Sequence, residues 1–101
     1  MIKVLIKKSK DRFESLEVKG HAGAGPEGHD IVCAGVSAVT VGGLNNLERP
    51  DDFQIDISEG YVYVKALKDV TLHDQVVLET IVTGLLSIQE TYGDFIKIQN
   101  L

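Results

Sequence analysis

The only cysteine of the chain, Cys33, and two of its three histidines, His21 and His29, fall within one glycine-rich stretch, Gly20 to Ser37. A thiolate is a strong nucleophile, and histidine titrates near neutral pH, so the two together suggest acyl-transfer chemistry. Asp30 is placed to cap a helix that begins Ile31-Val32-Cys33. Cys33 would then stand at the third helical position, near free backbone N–H groups and the positive end of the helix dipole. That field favours the thiolate, and the same N–H groups are expected to hold an oxyanion on an attacked carbonyl.

Each of these residues also has a plainer reading. Taken alone, Cys33 between Val32 and Ala34 is better explained as a small buried hydrophobe. His21 alters that balance, because a strand–loop–helix unit brings the end of its strand close to the start of its helix. His29, four residues before the cysteine, competes for the role of base and is equally readable as a solvated loop residue. Asp30 either caps the helix alone or also orients a histidine or substrate. Ser37 lies one turn beyond Cys33 on the same helix face, where its hydroxyl either supports the site or bonds back to a helix carbonyl.

Several elements must position these groups. Ile2 to Lys7 and Phe13 to Lys19 alternate apolar and polar residues, with the polar turn Ser9 to Arg12 between them, which predicts an antiparallel hairpin ending at Gly20. Ala22 to Gly28, with three glycines and Pro26, forms no regular element and suits a loop that orders on substrate. The first helix follows Asp30 and ends near Asn45-Asn46, with Val32, Val36, Val39 and Gly43 on one stripe and Ala34, Ala38 and Val41 beside it. Phe53 to Ser58 and Tyr61 to Ala66 form a second hairpin about Glu59-Gly60. Thr71-x-x-Asp74 opens a second helix that buries Val77, Ile81, Leu85, Ile88 and Tyr92 and stops at Gly93, and Phe95 to Gln99 is a last strand.

The order ββαββαβ predicts a single α+β domain over residues 1–101, a mostly antiparallel sheet packed with two helices in two or three layers. The first helix is apolar on more than one face, as though sandwiched between the sheet and the second helix.

Composition narrows the function classes. No apolar run approaches the ~20 residues that span a bilayer, the N-terminus is too charged for a signal peptide, and a lone thiol fits a reducing compartment. No membrane association and a cytoplasmic location are therefore expected. Residues 1–20 hold six Lys/Arg against three Asp/Glu, and the rest four against twelve. An acidic body is poor material for a general nucleic-acid binder and suits a Lys-rich peptide, or simply a soluble surface. Gly23-x-Gly25-x-x-Gly28 has the spacing of a dinucleotide loop, but it follows an antiparallel hairpin and carries Glu27 inside the turn. No cofactor is expected from it, and no metal, since paired cysteine, histidine or carboxylate ligand motifs are lacking.

Gly20-His21-Ala22, a short Gly-rich loop, and then Asp30-Ile31-Val32-Cys33-Ala34-Gly35-Val36-Ser37 resemble the ribosomal-processing cysteine protease family, Prp. The likeness extends over the whole chain in length and element order. It implies a cysteine endopeptidase, usually a homodimer, that removes the N-terminal extension of large-subunit ribosomal protein twenty-seven after a hydrophobic and aromatic segment. It implies Cys33 as nucleophile and His21 as general base and acid, with Gly20, Asp30 and Ser37 in supporting positions and no role for His29. Two other classes remain as alternatives: a non-catalytic ribosome-associated binding module, and a thiol redox sensor with an exposed, oxidisable Cys33.

Overall fold

The computed structural model describes residues 1–26 and 30–101. Its elements follow the order β1 (Ile2–Ser9), β2 (Arg12–Lys19), α1 (Ile31–Leu44), a short 3-10 turn (Pro50–Asp52), β3 (Phe53–Ser58), β4 (Tyr61–Ala66), α2 (Leu72–Tyr92) and β5 (Ile96–Asn100). The five strands make one sheet in the order β3-β4-β2-β1-β5, antiparallel except where β5 runs parallel to β1. This is the expected α+β domain.

Period-2 alternation divides the sheet into two unlike faces. Ile2, Val4, Ile6, Leu16, Val18, Val62 and Val64 point to one face and are buried. Lys3, Lys7, Gln54, Asp56, Lys65 and Lys97, on the intervening positions, are exposed. The first turn is shorter than the sequence suggested, since only Lys10 and Asp11 lie outside the strands. Both take positive φ, 52° and 66°, as a two-residue hairpin turn of the favoured twist requires.

The helices lie side by side and antiparallel over the apolar face. A Cβ on Gly43 would strike Ile81, one on Gly84 would meet Val39 Cγ1 at 2.7 Å, and Gly35 lies beside Ile88. Small residues on each helix thus admit a large one from the other. The sandwich expectation is corrected accordingly: α1 shares a layer with α2, and Ala34, Ser37, Ala38 and Gly42 are not buried between layers. The buried stripe of α1 is Val32, Val36, Thr40 and Leu44, with Val39 turned toward α2.

On α2, Val77, Ile81 and Leu85 are buried as expected, with Leu78 added, while Ile88 and Tyr92 are half-buried. The helix starts as the Thr71 pattern predicts, its hydroxyl accepting from Asp74 N–H at 3.2 Å. The reciprocal half of a capping box is missing. Asp74 instead accepts from Glu48 N–H at 2.8 Å and Arg49 N–H at 3.1 Å, fastening the segment that follows α1. Gly93 ends the helix with φ −59°, so the stop is not a left-handed glycine cap.

Candidate active site

The sheet and α1 leave a groove of about 590 Å³ between α1 and the β3–β4 hairpin. Cys33, Val36, Ser37 and Thr40 line it from α1, and Ile57 to Val62 line it from the hairpin. Gly20, His21 and Asp30 stand along it, and Ile2 and Val18 contribute apolar surface from the sheet. Cys33, His21, Gly20, Asp30 and Ser37, five residues singled out from the sequence, therefore share one cleft. His29, Glu27 and Gly28 lie outside the described residues.

His21 leaves the end of β2 on a backbone held from two sides. Gly20 donates its N–H to the carbonyl of Gly60 at 3.0 Å, and the Met1 nitrogen donates to the His21 carbonyl at 2.6 Å. Gly20 has φ +103°, and any Cβ there would run into the Met1 carbonyl oxygen, so this close strand exit needs glycine. The imidazole is exposed and rests against the β3–β4 turn: a Cβ on Gly60 would sit 3.0 Å from Nε2. Gly60, with φ +69°, thus supplies both the turn and the clearance for the ring. Nothing in the local sequence joins positions 21 and 60, because the contact follows from β2 pairing with β4. His21 and Cys33 are not hydrogen bonded to each other, but Ala22 N–H donates to Cys33 Sγ at 3.3 Å, which ties the histidine-bearing strand end to the thiol.

Asp30 caps α1 as expected and does more. Its Oδ1 accepts from Val32 N–H at 3.0 Å and Cys33 N–H at 3.1 Å, and its Oδ2 accepts from Ala24 N–H at 3.0 Å. One carboxylate therefore starts the helix and pins the first part of the glycine-rich loop. The Cys33 N–H is the foremost cause that holds the Asp30 carboxyl below its ordinary value. Partial burial opposes it, and the Ala24 N–H, the Cys33 side chain and the Val32 N–H add to the lowering.

These bonds correct the expectation of an oxyanion site at the helix start. The N–H groups of Val32 and Cys33 already point at Asp30, and Ala34 N–H bonds the Asp30 carbonyl at 3.0 Å. The backbone donor directed at the sulfur is Ala22 N–H. Ser37 is exposed on the groove wall and makes no hydrogen bond among the described residues, so the back-bond to a helix carbonyl is not formed. Asp30 makes no hydrogen bond to His21; its partners are the loop and the helix start.

A free thiol and a histidine on a clamped strand end, lining one groove, are the parts needed for covalent attack on an amide. The chain matches the family model described as "Cysteine protease Prp" over residues 1–97. It is 37% identical over 84 residues to the ribosomal processing cysteine protease Prp of Staphylococcus aureus, covering 78% of each chain. It is 32% identical over 107 residues to the protein of that name from Bacillus subtilis, covering 97% of this chain and 96% of the relative. A crystal structure of the S. aureus protease in complex with a covalently linked product peptide superposes with a TM-score of 0.89 at 30% identity, covering 100% of both chains.

Proposed function

The chain belongs to the cysteine protease Prp family and is a cysteine protease, and we propose that Cys33 and His21 are its catalytic pair. The observation that carries this reading is the Ala22 N–H bond to Cys33 Sγ, which fixes the thiol against the residue next to His21 inside the groove. His21 takes the thiol proton, and Cys33 Sγ attacks the scissile carbonyl to form a tetrahedral oxyanion. Ala22 N–H, already within 3.3 Å of the sulfur, is the donor best placed to meet that oxyanion. His21 then gives its proton to the leaving amine. Water, activated by His21, hydrolyses the thioester and frees the thiol.

The supporting residues act through geometry. Gly20 lets β2 turn sharply enough to present His21, Asp30 fixes the helix start that carries Cys33, and Ser37 offers its hydroxyl to substrate along the groove. The substrate of this reading is the N-terminal extension of large-subunit ribosomal protein twenty-seven, removed in the cytoplasm by a homodimer. Support for it comes from relatives named as ribosomal processing proteases and from one crystallised with a covalently linked product peptide.

Incubation of the purified protein with the extended ribosomal protein, followed by mass spectrometry, is expected to give one shortened product and one short peptide. Alkylation of the thiol should stop the reaction. Light scattering should return twice the chain mass. An extension left intact by active, unmodified protein would refute the assigned substrate.

A further inference from the structure

The sheet face turned away from the helices carries charges that the catalytic reading leaves unused. Registered strand pairing lays one row of residues across all five strands: Ser58, Tyr61, Lys19, Lys3 and Lys97. Three lysines therefore stand directly opposite one another on the adjacent strands β2, β1 and β5, all of them exposed. Residues so paired hold their Cβ atoms about 5 Å apart, and like charges there oppose folding. Lys19 is relieved by Glu17 on its own strand, at 3.3 Å. Lys3 forms no ion pair among the described residues, and neither does Lys97, whose amine leans toward Gly93 at the end of α2. A row that works against the free fold points to a ligand that its lysines meet together.

The rest of the face fixes the chemistry of that ligand. Lys7 and Lys65 add to the row, so five lysines oppose Glu14, Glu17 and Asp56 here, a balance of +2. The remaining chain holds five Lys/Arg against twelve Asp/Glu, a balance of −7. The acidic total thus hides one basic face, and the other surfaces repel a polyanion. Tyr61 and Tyr63 occupy successive positions of β4 on this face, both half-buried, and Tyr61 donates its hydroxyl to Glu17 at 3.0 Å. Ammonium groups meet phosphates and aromatic rings stack with unpaired bases, a combination that suits single-stranded RNA. A membrane surface would call for apolar anchors, whereas Leu5, the aliphatic side chain among these positions, is half-buried.

We propose that this sheet face binds single-stranded RNA, with the RNA backbone on Lys19, Lys3 and Lys97 and its bases toward Tyr61 and Tyr63. The row ends at the groove, since Ser58 and Tyr61 also line it. RNA held along the row therefore presents the groove to a polypeptide lying beside that RNA. The acidic remainder keeps the other faces off the strand, which gives the bound protein one orientation. None of the three lysines lines the groove, and neither does Tyr63. Binding is thus separable from cleavage and stands without the catalytic assignment.

The probe is a fluorescein-labelled RNA of about 20 nucleotides and mixed, unpaired sequence, followed by anisotropy with the full chain. Wild type and Cys33→Ala should bind it alike, with the log of the association constant falling against log salt at a slope of about −2, as three phosphate contacts require. The combined variant Lys3→Gln, Lys19→Gln, Lys97→Gln should bind at least about 10-fold more weakly at about 50 mM salt. Lys8 lines the cleft beside α2, Lys10 sits in the first turn and Lys68 follows β4. Changing those three to Gln removes the same charge away from the row and should cost less than about 2-fold. Tyr63→Leu should weaken the single strand about 10-fold and a duplex RNA of that length little. The row variant should melt at or above the wild type, because repulsion is removed. Equal binding by the row variant and the wild type overturns the proposal, as does a wild type that binds duplex and single strand alike. A row variant that melts lower also overturns it, because the lysines would then be steadying the sheet. Vesicles rich in phosphatidylserine that compete better than unlabelled RNA would assign the face to a membrane, and poly-glutamate that does so would assign it to an acidic protein.

Discussion

The two helices of this molecule begin in the same way chemically and to opposite ends. At each start an aspartate accepts two or more backbone N–H groups. Asp30 precedes α1, half-buried at the groove, and gathers Val32, Cys33 and Ala24 N–H groups. Asp74 sits inside the first turn of α2, 0% exposed, and reaches away from its own helix to Glu48 and Arg49. Asp74 joins elements far apart in sequence and lies outside the groove. Asp30 joins a loop to a helix across six residues, and the helix start that it fixes carries the thiol. A local tie fixes the helix start that carries the thiol, while the deep, long-range tie at Asp74 holds the fold.

If that division is right, substitutions at the α1 start should cost activity before stability. The largest effect is expected at Cys33. Cys33→Ala should reduce peptide cleavage to background while leaving the Tm nearly unchanged, because a small half-buried side chain replaces another. Next is His21→Ala, expected to lower the rate on the order of 10²-fold or more, the usual range for a lost acid–base group. His29→Ala should change turnover only slightly. One extended peptide assayed with all three variants decides the assignment. A dead His29 variant beside an active His21 variant would transfer the role of base.

The α2 start should behave the other way. Asp74→Ala leaves two partly buried N–H groups without their acceptor, and at roughly 1–3 kcal/mol for each unsatisfied group the loss should be at most about 2–6 kcal/mol. Urea titration measures that loss. Activity per folded molecule should stay at the wild-type level, since Asp74 touches nothing in the groove. A turnover defect larger than the folded fraction explains would remove the proposed division between the two helix starts.

How much of this was legible in the sequence depends on the range of the interaction. The strands were readable because alternation along Ile2-Lys3-Val4 or Phe53-Gln54-Ile55 reports a buried face directly. Asp30 as cap was readable because its partners are two and three residues away. Its further bond to Ala24 was not, since glycine-rich loops give no periodic signal to place a turn. Thr40 was missed because a stripe chosen for apolar residues takes Val39 instead, and only the facing Gly84 shows that Val39 belongs to the helix–helix seam. In the sequence Gly60 is a turn former and nothing more. Its contact with His21 depends on strand order, which no single-sequence pattern specifies. The helix-start oxyanion site failed for a related reason: the residue that caps the helix uses the very donors the expectation left free.

The smallest expected effect is the pH dependence of the Asp30 tie, and it separates charge from shape at the α1 start. The folded Asp30 carboxyl is held below its ordinary value, first by the Cys33 N–H. A group whose folded value is lowered stabilises the native state fully above its unfolded value and loses that contribution as pH falls through the folded one. Asp30 should therefore contribute throughout the neutral range and down past the unperturbed aspartate value near 4, with the loss confined to more acid solution. Asp30→Asn keeps one acceptor oxygen and never ionises, so it isolates this contribution. The wild type should melt a few degrees above Asp30→Asn at pH 7, and the gap should close below about pH 4. Asp74→Asn measured in parallel controls for general acid destabilisation. A gap at Asp30 that persists unchanged at the lowest accessible pH would mean that oxygen geometry, and not charge, holds the loop to the helix.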